Sequence, residues 1–132
     1  MKIVDRKTFM ALPENTLFSK WEPCVFGELT IKGESWEHDF LTQDITSAVK
    51  CNGSDEFGDL CDQAASTRVS IALDLHCMGR DGCFDENQLF AVWEAQDVVA
   101  LIERLRACVP NASGPDYRRK PAESDRLVGD SE

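Results

Sequence analysis

The chain is poor in basic residues, histidine and tyrosine, and it lacks any long apolar run. Its 14 Lys and Arg face 24 Asp and Glu, a net charge of −10 over 132 residues. A surface of that sign repels a phosphate backbone, so direct nucleic-acid binding by the folded domain is disfavoured. No apolar stretch approaches the roughly 18 residues of a membrane span. The opening Met1-Lys2-Ile3-Val4-Asp5-Arg6-Lys7 meets charge too early to form the core of a secretory signal. The expectation is a cytoplasmic protein with no membrane partner. Gly-x-Ser-x-Gly, Gly-x-x-x-x-Gly-Lys and the dinucleotide fingerprint are all missing, and with them the simplest routes to acyl transfer, NTP binding and hydride transfer. No cofactor and no catalytic centre are expected.

Six cysteines are present, Cys24, Cys51, Cys61, Cys77, Cys83 and Cys108, but no Cys-x-x-Cys pair. In a reducing compartment such scattered residues read as buried or partly buried free thiols, with a metal site or disulfides as alternatives. The densest group of metal-ligand types, His76-Cys77-Met78-Gly79-Arg80-Asp81-Gly82-Cys83, offers three donors where zinc needs about four. If His76 and Cys77 lie on a strand, they point to opposite faces, which also defeats a catalytic dyad. Asp81 to Leu89 resembles half of a calcium loop, yet Cys77 and Gly79 stand where its first carboxylates belong. No metal is expected.

Along the chain, Asp5 can cap a short helix that carries Phe9 and Leu12 on one face and ends at Pro13. Asn15 suits a left-handed turn, after which Thr16 to Trp21 and Glu28 to Lys32 read as a hairpin around a break at Pro23 to Gly27. Asp39 to Ile45 suits a third strand. Ser54 can cap a helix to about Ala65 with Phe57, Leu60, Cys61 and Ala64 on one side. Arg68 to Cys77 alternates most cleanly of all and is expected as a strand, antiparallel to another over Gln88 to Trp93. A last helix runs from about Asp97 to Cys108. The order implies an α+β fold, an antiparallel sheet of about four to five strands with two to three helices packed mainly on one face. Residues 1–110 are expected as one domain and 111–132 as a disordered polar tail.

The charge is uneven. Between Glu34 and Asp97 lie fourteen acids and three bases, a local charge of −11, whereas the two flanks are nearly neutral. This excess is either a face that steers toward a basic partner or a solvated surface that aids solubility. The candidate binding residues are Glu34, Glu37, Asp39, Asp55, Glu56, Asp59 and Asp62, joined by Phe26 and Trp36, aromatics that fall in turns or loops where interface anchors concentrate.

The opening Asp5-Arg6-Lys7-Thr8-Phe9-x-x-Leu12-Pro13-x-x-Thr16-Leu17-Phe18, with Glu22-Pro23-Cys24-Val25-Phe26-Gly27, resembles small proteins of phages and prophages. Such proteins include inhibitors of bacterial immunity, among them acidic anti-CRISPR mimics of DNA. The resemblance implies a host-cell setting and a host defence protein with a basic surface as partner, and it transfers no site residue. The expected role is therefore a non-enzymatic interaction protein, possible as a homodimer through an uncovered sheet edge. The alternatives are a binder of a small molecule such as a nucleotide signal, with aromatics meeting Arg68 or Arg80, and a metal-dependent or thiol enzyme.

Overall fold

The computed structural model describes residues 1–110. In chain order the elements are β1 (Lys2–Val4), α1 (Arg6–Met10), β2 (Thr16–Glu22), β3 (Val25–Phe26), β4 (Thr30–Trp36), β5 (Asp39–Asp44), α2 (Ser54–Thr67), β6 (Gly79–Arg80), β7 (Leu89–Trp93) and α3 (Ala95–Arg106). The backbone groups into two compact units, Met1–Glu94 and the chain from Ala95 on. The tail expected from Asn111 lies outside the described residues. No helix among the described residues is long and apolar enough to cross a membrane.

The first unit is built on a seven-stranded antiparallel sheet in the order β1-β7-β2-β4-β5-β6, with β3 hydrogen-bonded to β2. The α+β class is as expected, and the sheet is larger than expected. The additional strands β1, β3 and β6 are two or three residues long, too short for a period-2 pattern to register. Within the break at Pro23 to Gly27, Pro23 and Cys24 make a tight reversal that brings Val25 opposite Glu22 and Phe26 opposite Trp21. Proline presets the first turn position, and Cys24 takes the second with φ of 68°. Asn15 does adopt the left-handed turn, with φ of 66°, and its N–H donates to the Lys32 carbonyl at 2.7 Å.

Alternation along β2 sends Phe18 and Lys20 to one face of the sheet and Leu17, Ser19 and Trp21 to the other. On the Phe18 side sits α1, started by Asp5, whose carboxylate accepts the Thr8 N–H at 2.9 Å. The helix inserts Phe9 among Phe18, Phe40, Phe90 and Val92. Phe9 stacks on Phe90 at 3.9 Å between ring centres and meets Phe18 and Phe40 edge-on at 4.7 and 5.0 Å. Two cations flank these rings. Lys32, only 1 % exposed, donates from Nζ to the carbonyls of Leu12 (2.9 Å) and Gly33 (3.1 Å) and lies 5.7 Å from the Phe9 ring centre. It thereby donates to one carbonyl just past the end of α1 and to one within its own strand, β4. Burial lowers its pKa, opposed in part by Glu14. Arg6 occupies the other side, over Phe40.

The clearest expected strand does not exist. Between Arg68 and Cys77 only Leu73 makes a β-bridge, to Val49, and Val69, Leu73 and Leu75 are about half exposed. Alternation says which residues can share a face; a strand also needs an edge to join. Here Arg68 turns left-handed, with φ of 64°, as the cap of α2, and the edge of β5 is taken by Gly79–Arg80 instead. The expected pairing of residues 68–77 with 88–93 is replaced by β7 lying between β1 and β2. The helix expected from Ser54 is present, but Gly53 is its cap and Ser54 makes no capping bond. None of its residues is buried, so the Phe57 side is only partly covered. The cysteines are all free, as expected, although Cys24, Cys77, Cys83 and Cys108 are exposed rather than buried.

Candidate functional site

Many residues of the acidic middle fall into three overlapping groups. Some are neutralised. Asp39, counted above with the acidic surface, is 3 % exposed and sits under the β5–β6 edge. Its Oδ1 accepts the N–H groups of Phe40 (2.8 Å) and Gly82 (3.1 Å), and its Oδ2 accepts Arg80 Nε at 2.9 Å. Burial pushes this carboxyl up, but the Gly82 and Phe40 donors and the Arg80 guanidinium outweigh it, and the net pKa is lowered. Asp81 pairs with Lys20 at 2.9 Å, and Glu94 with Lys2 at 3.7 Å.

A second group organises loops. Asp74, Asp81 and Asp85 each accept the backbone N–H two residues ahead, from His76, Cys83 and Asn87. These are turns in which a short carboxylate stands in for a backbone acceptor. The turn at Asp81-Gly82, where Gly82 has φ of 71°, accounts for the residues that resembled part of a calcium loop. The strand geometry invoked against a His76/Cys77 pair does not apply, because that segment is not a strand.

The third group is α2. Asp55, Asp59 and Asp62 recur at i, i+4 and i+7, with Glu56 beside them, and all four are exposed. The Glu56 carboxylate accepts the Asn52 N–H at 2.5 Å. No Lys, Arg or His occurs anywhere in the helix. Glu34 and Glu37 are also exposed, Glu34 at the register shift within β4 and Glu37 at the β4–β5 turn, where its φ is 48°. Of the two aromatics, Phe26 is half exposed beside Trp93, at 6.3 Å between ring centres, and Trp36 is partly covered by the Arg80 guanidinium 5.9 Å from its ring centre.

At the foot of α2 a cavity of about 350 Å³ opens between Phe57, Asp44, Asp74, Cys77 and Met78, with Arg80 at its wall. Burial, then Glu28, raises the pKa of Asp44 there. A further cavity of about 300 Å³ is lined by Arg6, His38, Phe84 and Glu86. Sequence reading passed over this group, because four residues spread from position 6 to position 86 meet only through the sheet. A comparison with protein-family models, curated proteins and solved structures finds no match.

Proposed function

We propose that the protein is a non-enzymatic interaction protein that engages a partner with a basic surface through the acidic side of α2. Support comes from the helix itself: fourteen residues, none buried, four exposed carboxylates and no base. A helix that contributes no buried residue adds little to the core, so its charge pattern is available for recognition. Carboxylates at helical spacing present a row of negative charge to cationic side chains and speed encounter at low salt. Phe26 and Trp36 are the aromatic anchors of this reading, with Glu34 and Glu37 as further exposed charges. The basic groove of a host nucleic-acid-directed defence protein is the kind of partner such a row suits, in the cytoplasm of a phage-bearing cell.

The nucleotide-binding alternative is weaker on the geometry. It relies on Arg68 or Arg80 beside an aromatic, and Arg80, which does lie over Trp36, already holds Asp39. Arg68 is exposed at the end of α2. The test is competition. The purified chain, titrated against a CRISPR effector complex with labelled DNA present, should displace the DNA, and less so as salt rises. The variant with Asp55→Asn, Glu56→Gln, Asp59→Asn and Asp62→Asn should fold and lose this effect. Displacement that is indifferent to salt and to those four substitutions would sink the proposal, as would the absence of any displacement.

A further inference from the structure

Arg6 is 8 % exposed, yet no carboxylate among the described residues pairs with it. One N–H of its Nη2 donates to the His38 carbonyl at 2.8 Å, and its guanidinium carbon lies 5.7 Å from the Phe40 ring centre. No other acceptor among the described residues meets it. A guanidinium carries five N–H donors in a rigid fork and does not lose its proton. Most of this fork is thus unused by the protein, and its free N–H groups lie on the open side of the residue, where solvent or a ligand in the cavity can meet them. The same side chain lines the 300 Å³ cavity with His38, Phe84 and Glu86. That volume is at the lower end of small-molecule sites.

We propose that this cavity binds a small organic monocarboxylate, its two oxygens on the Arg6 fork and its apolar body against Phe84. Three features select that class. The free donors of a fixed guanidinium match two coplanar oxygens, the arrangement in which arginine recognises carboxylates. Phe84 is 55 % exposed and supplies an apolar wall beside the cation. Glu86 shares the cavity, so a second negative charge on the ligand meets repulsion, which disfavours phosphate. The site is separate from the acidic helix, and neither proposal depends on the other.

The experiment is a titration of the isotope-labelled full chain with benzoate, followed by NMR. Saturable shifts are expected at the Arg6 side-chain N–H groups and at the Phe84 and Glu86 amides. Glu86→Gln removes the repulsion and should tighten benzoate on the order of threefold. Phe84→Ala removes the wall and should weaken it about five- to tenfold. Arg6→Gln should abolish it; should that variant fail to fold, the two exposed substitutions decide the matter. The proposal is overturned by the absence of saturable shifts at these residues, by affinities unchanged in both Glu86→Gln and Phe84→Ala, or by inorganic phosphate binding there more tightly than benzoate.

Discussion

Replacing Phe9 by alanine should cost about 3–5 kcal/mol, the range for emptying an aromatic site in a core that relaxes only in part. The structure places Phe9 at full burial, with three aromatic neighbours between 3.9 and 5.0 Å of its ring centre. Transfer of the side chain accounts for roughly 1.5–3 kcal/mol. The lost ring contacts and the residual cavity together account for the remainder. Because domains of this size are stable by only about 5–15 kcal/mol, a large share of the total is at stake. Urea unfolding followed by fluorescence gives the measurement. With a slope of about 1–3 kcal/mol per molar, the midpoint should fall by roughly 2 M at unchanged slope. Phe26→Ala, at a half-exposed ring, should move the midpoint far less. A Phe9→Ala loss below about 1 kcal/mol would refute the view that this ring pins α1 to the sheet, because no site so enclosed relaxes at so small a cost.

Other substitutions test other parts of the fold. Asp39→Asn should destabilise by about 1.5–3 kcal/mol, since charge-assisted bonds to Arg80 and two backbone donors are weakened. The pKa of Asp39 is depressed on folding, so its contribution is complete above the ordinary carboxylate value of 3.8 and is lost as pH falls below it. Asp39→Asn should flatten acid unfolding in that window, as read by circular dichroism. For Lys32 the sign is opposite: its folded pKa is lowered, so the unfolded chain binds the extra proton and stability should climb as pH rises through the folded value toward 10.5. Lys32→Met should abolish that climb in thermal melts at alkaline pH. Ser19→Ala should be neutral or stabilise by about 1 kcal/mol in urea, because the Ser19 hydroxyl is buried with no hydrogen-bond partner among the described residues.

Several elements could be read directly from residues close together in the sequence. The Asp5 cap, the Phe9 knob, the left-handed Asn15 and the existence of β5 and β7 depend on neighbours within a few positions, and the pairing of β2 with β4 follows from two short strands around one break, so local chemistry suffices for them. The acidic, base-free character of α2 was equally legible.

What required the tertiary structure is whatever depends on a distant partner. The ten-residue alternation from Arg68 to Cys77 carried the strongest local signal, and it found no ladder because β7, the strand expected to pair with it, lies between β1 and β2. Asp39 and Glu34 look alike in the sequence, yet one is buried on Arg80 and the other meets solvent. Arg6 and Lys32 look like ordinary surface cations, and only the stacking of α1 on β4, β5 and β7 seals them around four phenylalanines. Local sequence determines which conformations and faces a segment prefers. Burial, and therefore which charges are neutralised, exposed or left awaiting a partner, is decided by chain segments that lie far apart until the sheet assembles.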